Sequence, residues 1–517
     1  MPTLTRLGQL ADLNPAWLKF NRGIERETLR ATTTGDIAQT PHPAGLGSAL
    51  THPSITTDYS EALLEFITGV HDQPESALTE LGQLHRYALT QLKDEQLWPA
   101  SMPTRLPAET QIPIAQYGSS HIGRLKTIYR HGLWHRYGRT MQTIAGVHYN
   151  WSMPTDFWAD WAQRSGWNGS LQAFINREYF SLIRGFRRHS WLLLYLFGAS
   201  PAADRSFLPK GNHGLESLGD DTLFGRYATS LRMSDLGYSN SAQSSLYVCF
   251  NSLETYAETL SEAIHTPYAP YEKIGTKVDG EYRQLSTAIL QIENEYYSDL
   301  RPKRVAHSGE KPIHALNERG VEYIEVRCLD VDPFAPYGID VERMRFVDLF
   351  LFWCLVQDNS LIQREDCFRL RENNQRVAAA GRDPKLELVF NGKAVGLREQ
   401  GQRVLDSLAT LAVELDAIAP GSGYAAAVEA QRAKMVDVDL TPSARFLAQV
   451  REAGSYRQAS MDLAGIHGNC CKDDPNDQAI FAALHDAATT SLATQQQMEA
   501  ADSGEDFDAF LSLYLRQ

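Results

Sequence analysis

The sequence predicts an α+β protein whose last third is mainly helical. Up to about residue 335, short β-like runs alternate with helical stretches and many Gly, Pro and Asn turns. After about Gly338 the pattern changes: segments such as Gln402–Ile418 and Tyr424–Val436 carry apolar residues at three- and four-residue spacing. No period of about 20–50 residues repeats, which excludes solenoids and propellers. The expected organisation is an α+β body over residues 1–338, with a mainly helical part over 339–517 packed on it. No Pro/Gly/Ser linker separates the two.

The first informative element is Gly23-Ile24-Glu25-Arg26-Glu27-Thr28-Leu29-Arg30, a strand entering a Thr-Thr-Thr-Gly-Asp turn. Strand side chains alternate, so Glu25, Glu27 and Leu29 share one face and Ile24, Arg26 and Thr28 the other. Two carboxylates at i and i+2 read either as a solvated face or as a pair that needs a cation between them. In Thr56–Thr68, Glu65 sits inside Leu63-Leu64-x-Phe66-Ile67, a strand apolar on both faces. A carboxylate there is costly unless it is paired with an Arg or binds metal. In Gly146–Trp151, His148 and Asn150 share a face, which suits a core histidine as well as a ligand. In Val321–Asp330, Glu325 and Arg327 share a face, either as an in-strand ion pair or as a metal ligand beside a phosphate clamp.

Together these strand-borne carboxylates and one imidazole suit a hard divalent cation, Mg²⁺ or Mn²⁺. Zinc is disfavoured, because His131 and His135 lack the Glu of the zinc-protease pattern, and Cys470 and Cys471 with His467 lack further ligands at workable spacing. Thr229–Ser239 combines Arg232 with several hydroxyls and a Gly before Tyr238. Arg301-Pro302-Lys303-Arg304 reads as a solvated loop. In the C-terminal third, Val404, Leu408, Leu411 and Leu415 mark one helix, and the Ala-rich stretch from Ala479 to Ala501 marks another.

Composition narrows the function classes. The chain has 517 residues, 43% hydrophobic and 22% charged, a globular mix rather than a disordered one. Lys+Arg 49 against Asp+Glu 63 gives a net charge of −14, which argues against a nucleic-acid binder. Six cysteines in such a length do not make a disulfide scaffold, and Cys249, Cys328 and Cys354 sit among apolar neighbours as reduced thiols. The longest apolar runs, Trp191–Ala199 and Leu349–Val356, fall short of the ~20 residues of a membrane span. Met1–Leu13 lacks a basic region followed by an apolar one, so no secretory leader is expected and the location expected is cytoplasmic. There is no P-loop and no G-x-S-x-G elbow. Gly421-Ser422-Gly423-Tyr424-Ala425-Ala426 follows a helical segment and Pro420 rather than the strand a dinucleotide site requires.

The chain resembles the proteobacterial-type glutamate–cysteine ligases (γ-glutamylcysteine synthetases). The residues that carry the resemblance are Arg22–Arg30, Leu46-Gly47-Ser48-Ala49-Leu50-Thr51-His52 through Thr68, and Ala115-Gln116-Tyr117-Gly118. It continues in Gly146–Asn150, Tyr195–Pro201, Tyr227–Tyr238, Leu290–Arg304 and Tyr323–Arg327. It thins between about 357 and 440 and returns in Leu440–Arg445 and Gln497–Asp502. The resemblance implies a curved antiparallel sheet forming a funnel, related to glutamine synthetase and flanked by helices. It implies ATP-dependent joining of the glutamate side-chain carboxylate to the cysteine amine through γ-glutamyl phosphate, with Mg²⁺ (or Mn²⁺) as metal. On this resemblance Glu25, Glu27, Asp58, Glu65, His148 and Glu325 form the metal set, and Arg327 clamps the phosphoryl group. Arg232 grips the glutamate α-carboxylate, while Tyr59, Tyr129, Tyr238 and Tyr297 surround cysteine. Tyr59 stands where some relatives are expected to carry Phe, and its hydroxyl bears on acceptor selectivity. The partners implied are small molecules alone, with neither nucleic acid nor membrane, and with glutathione as feedback inhibitor. The alternatives are a ligase for another amine, or a non-catalytic relative that binds amino acid or nucleotide.

Overall fold

β-branched and long side chains on alternating faces make Asn21–Thr32 (β1) a twelve-residue strand, and the rest of the main sheet is assembled around it. The computed structural model describes residues 14–208, 213–237, 246–307, 309–357, 359–470 and 477–516. Its seven-stranded sheet comprises β1, β2 (Ile55–Thr57), β3 (Leu63–Ile67), β4 (Glu95–Leu97), β5 (Gly146–Ser152), β6 (Leu300–Lys303) and β7 (Tyr323–Asp330). The order is β6-β7-β5-β1-β3-β2, with β4 on the far end of β1, and every pairing is antiparallel. This open sheet flanked by helices, with a helical C-terminal region, is the expected α+β class.

The expected turn after β1 forms. Thr32 N–H donates to the Asp36 carbonyl at 2.8 Å, and Gly35 takes the φ of 74° that the reversal requires. The segment Arg301-Pro302-Lys303-Arg304 corrects an expectation: its first three residues end β6, with Arg301 opposite Glu325 of β7, and the segment is not a solvated loop. Its cations are drawn onto the sheet by the acidic face across the register.

One face of the sheet is backed by helices. Ile24 and Tyr149 oppose each other across β1 and β5 and are fully buried on this side. Among the helices before residue 357, α1 (Pro74–Gln91), α3 (Leu171–Phe197) and α4 (Val341–Val356) back the sheet, and α2 (His121–Tyr137) lies beside the site. α1 packs on β1 and β3, α3 on β7, and α4 against α1 and α3. α4 is apolar nearly all round, and its Met344–Val356 stretch lies within the core. The C-terminal third adds α5 (Arg364–Ala380), α6 (Leu397–Ile418), α7 (Tyr424–Val436), α8 (Pro442–Ala453), α9 (Tyr456–Cys470), α10 (Gln478–Ala501) and α11 (Phe507–Arg516). Val404, Leu408, Leu411 and Leu415 are the buried stripe of α6, as their spacing predicts. A small hairpin, Glu387–Phe390 with Lys393–Gly396, interrupts the helical texture. No helix among the described residues is long and apolar enough to cross a membrane.

A buried ion pair pins α4 to the sheet. Arg22 Nη2 donates to Asp348 Oδ2 at 2.8 Å, with both side chains at most 2% exposed, and the Tyr149 hydroxyl donates to Asp348 Oδ1 at 2.8 Å. Burial raises the Asp348 carboxyl, and Arg22 and Tyr149 counter this. Asp348→Ala would leave the guanidinium buried without its anion, so it is expected to destabilise the fold by about 3–5 kcal/mol in urea denaturation. A loss below about 1 kcal/mol, the range of a surface pair, would show that the pair does not hold α4.

Candidate active site

The register alone brings the acids together. Directly opposed residues of an antiparallel pair lie on the same face, and Glu27 of β1 opposes Glu65 of β3 while Glu25 opposes His148 of β5. Asn150 opposes both Gly23 and Glu325, so the face continues onto β7, and Arg301 opposes Glu325 from β6. This face lies opposite the helix-backed side.

His148 is the hub. Its Nδ1 lies 3.1 Å from Glu25 Oε2 and 3.3 Å from Glu325 Oε1, and its Nε2 lies 3.5 Å from Glu27 Oε1. Asn150 Nδ2 donates to Glu25 Oε1 at 2.9 Å, and the Gly146 N–H donates to Glu27 Oε2 at 2.6 Å. Arg327 Nη1 donates to Glu325 Oε1 at 2.7 Å, and Lys303 Nζ lies 3.4 Å from the other oxygen. The in-strand ion pair is therefore present, and it is one link of a larger network.

The acids divide by electrostatic setting. Burial works against ionisation of Glu325, but Arg327, Lys303 and His148 hold it well below the usual carboxylate range. Glu25, half-buried and facing Glu325, is brought below its ordinary value by His148 and Lys303. Glu27 is pushed up by burial and by Asp58, and Glu65 is pushed well up by burial and then by Glu25. Arg327 and Lys126 act on the Glu65 carboxylate only as charges, Arg327 being the last of its influences and countering the carboxylates around it. One ligand atom from each of Glu25, Glu65 and His148 lies within 4.8 Å of the other two. A half-buried carboxylate that no ion pair holds, facing a second carboxylate and an imidazole, fits a divalent cation with oxygen-rich ligation.

Beside this cluster a cavity of about 130 Å³ is lined by Glu27, Asp58, Tyr59, Tyr129, Arg232, Tyr297 and Arg327, with Arg130 and Arg301 among its other walls. The fold thus gathers residues separated by up to 300 positions. Tyr238 lies outside the described residues. Arg232 is 1% exposed, donates from Nη2 to the Arg327 carbonyl at 2.7 Å and lies 3.7 Å from Asp330. Tyr297 donates to Met233 Sδ at 2.9 Å, and burial pushes its hydroxyl up to about 12. The Tyr59 hydroxyl is buried without a hydrogen-bond partner.

Sequence reasoning missed Lys303, Arg301 and Arg130. Arg130 Nε donates to the Asp58 carbonyl at 2.6 Å and its guanidinium stacks over Tyr117 at 4.5 Å. Lys303 and Arg301 carry the i, i+2 spacing of a strand face, a signal that the intervening Pro302 obscured.

The model of the glutamate–cysteine ligase family matches residues 7–377, most of the chain and all of the site. This chain belongs to that family. It is 50% identical over 496 residues to a glutamate–cysteine ligase of Azotobacter vinelandii, covering 95% of this chain and 93% of the relative. A glutamate–cysteine ligase of Pseudomonas aeruginosa is 49% identical over 512 residues, with 99% and 97% covered. Among solved structures, the glutamate–cysteine ligase of Francisella tularensis in complex with AMP superimposes with a TM-score of 0.91 at 38% identity, covering 96% and 97%. A bifunctional glutathione synthetase from Pasteurella multocida gives 0.70 at 25% identity over 88% of this chain and 53% of that one. The α+β architecture with its antiparallel sheet is thus the fold of the ligase family.

The cation site has a direct test. In EDTA, Glu65→Gln is expected to leave the thermal midpoint equal to or above that of the parent protein, because it removes a half-buried charge crowded by Glu25, Glu27 and Asp58. Added Mg²⁺ or Mn²⁺ is expected to raise the parent's stability by about 2.7 kcal/mol at roughly 100 times Kd, and to raise the variant's much less. An equal gain in both proteins would take Glu65 out of the ligand set.

Proposed function

We propose that this protein joins the γ-carboxylate of L-glutamate to the amine of L-cysteine at the expense of ATP, the first step of glutathione biosynthesis. The observation that carries this reading is the junction of two settings. A cavity walled by tyrosines and arginines opens beside a half-buried cluster of carboxylates and one imidazole on one sheet face.

The chemistry runs in two transfers. A glutamate γ-carboxylate oxygen attacks the terminal phosphorus of ATP, the bond to ADP breaks, and γ-glutamyl phosphate forms. The cysteine nitrogen then attacks the acyl carbon, the bond to phosphate breaks, and the amine proton is lost as phosphate leaves. Arg327 lies where the phosphoryl group would pass between cluster and cavity. Its Nη1 is held by Glu325, and its buried Nε has no partner until an anion arrives. Arg232 presents a buried guanidinium to the cavity and is assigned the glutamate α-carboxylate, a bidentate task. Tyr59, Tyr129 and Tyr297 shape the acceptor side, and the unpartnered Tyr59 hydroxyl is available to a polar acceptor group. Tyr238 is assigned there by resemblance alone. Glu25, Glu27, Asp58, Glu65, His148 and Glu325 would hold Mg²⁺, which when bound neutralises the crowded phosphate charge.

Three further elements belong to the proposal. Residues 1–338 act as the catalytic body, with 339–517 as the helical part packed on it. Glutathione, which shares the γ-glutamyl-cysteinyl unit, inhibits by feedback. The reaction takes place in the cytoplasm, a reading supported by the free state of Cys249, Cys328, Cys354 and Cys367.

Phosphate release measured with glutamate, ATP and a panel of amines tests the substrates. Cysteine and 2-aminobutyrate are expected to support turnover; failure of both alongside success of another amine would reassign the acceptor. Glu27→Gln retains an oxygen for the Gly146 N–H, so it is expected to fold normally and lose Mg-ATP turnover. Full activity would remove Glu27 from the metal set. Arg327→Lys, which supplies a point charge in place of a planar fork, is expected to lower kcat by about 10²-fold or more. A near-normal rate would end the clamp assignment.

A further inference from the structure

The helix that forms one wall of the cavity is not completed by the catalytic body. α2 supplies Tyr129, Arg130, Leu133 and Tyr137 to that wall. Its own buried apolar residues, Leu125 and Ile128, lie outside the main core. They form a separate cluster with Leu285 and with Phe507, Leu511 and Tyr514 of α11, and Tyr129 packs against the edge of this cluster. Half of the six buried members therefore come from the last ten-residue helix of the described chain, beyond residue 377 where the family model ends.

Polar contacts fasten the same joint. The carboxylate of Asp502, just past α10, accepts from the His121 N–H at 2.6 Å, capping the start of α2. Glu499 accepts from the Ser119 N–H at 2.9 Å, and Arg124 of α2 stacks over the Phe507 ring at 4.0 Å. From outside α2, Lys311 Nζ donates to the Leu515 carbonyl at 3.2 Å, and Asp508 pairs with Lys277 at 3.2 Å and with the Tyr282 hydroxyl. α11 is thus gripped on several sides and transmits its position to α2.

We infer that α11 is a positioning latch for the amine acceptor. Through Leu511, Phe507 and Tyr514 it fixes the rotation and depth of α2, and so the placement of Tyr129 in the acceptor pocket. Ile128 and Tyr129 are consecutive, so their side chains leave the helix about 100° apart: one reaches the latch and the other borders the pocket. A rigid helix cannot shift the first without moving the second. Leu511, Phe507 and Tyr514 touch no substrate and are positioning residues. The functional half of the inference rests on the reading of this cavity as the acceptor site; the mechanical half does not.

The test uses the full chain carrying Leu511→Ala, with Leu511→Met as the volume-conserving control. Amide hydrogen exchange in His121–Tyr137 reads the latch without reference to activity, and is expected to quicken severalfold in Leu511→Ala and to stay at parent level in Leu511→Met. Steady-state kinetics are expected to show the cysteine KM rising roughly tenfold in Leu511→Ala, with the KM for glutamate and ATP and the kcat little changed. Unchanged exchange in α2 would overturn the latch. Faster exchange with all three KM values and kcat affected alike would overturn the acceptor role and leave α11 as general support. If the parent turns over no cysteine but another amine, the substrate reading fails while the exchange result still decides the latch. If Leu511→Ala does not fold, Tyr514→Phe and Phe507→Leu carry the same two measurements.

Discussion

The candidate active site depends on the register of β1 with β3 on one side and β5 on the other, because that register crowds several carboxylates and the His148 imidazole onto one face. Glu27 against Glu65 and Glu25 against His148 are backbone pairings, held by ladder hydrogen bonds that ignore side-chain repulsion. The opposite face supplies what opposes the repulsion. Ile24, Thr28 and Tyr149 are fully buried there, and Arg22 is locked to Asp348 of α4. A slip of one residue would turn the carboxylates into the helix layer and the apolar residues towards the cavity. The apolar side thus sets the register, and the acidic side inherits it.

Charge on that face is graded rather than uniform. At the β7 end, Arg327, Lys303 and His148 surround Glu325 and keep it ionised. At the β3 end, Glu65 is held by no ion pair among the described residues, and burial and Glu25 push it well above the ordinary carboxylate range against the weaker pull of Arg327. The proposed chemistry, a cation bound beside phosphate, would use both settings: carboxylates without a fixed ion pair, and cations already fixed beside an anion. Arg327 lies at the boundary, joined to Glu325 and open at its Nε. The large net negative charge of the chain says nothing of this, since the deciding acids are few and their neighbours set their character.

Much of this was legible in the residues. Alternation in Gly23–Arg30 and Gly146–Trp151, and the apolar run around Glu65, mark strands whose polar positions share a face, and the structure forms β1, β5 and β3 there. The spacing of Val404, Leu408, Leu411 and Leu415 likewise yields the buried stripe of α6. Arg301 and Lys303 were misread, because a proline between two cations looks like a turn, while the attraction of Glu325 across the sheet is a long-range effect that local composition does not carry. Arg232 was equally hard to read: its burial comes from Asp330 and from the Arg327 carbonyl, both nearly a hundred residues away.

The sequence by itself determined which residues alternate, where the chain turns helical and, through long ordered matches, the ligase family. These are properties of local pattern and of inherited order along the chain. Tertiary structure alone decided that β1 sits between β3 and β5, that Tyr59, Tyr129 and Arg232 border one cavity, and that the last helix closes the apolar face of α2. The reason is physical: strand order and helix docking are chosen by the burial of the whole core, and no single segment contains that information.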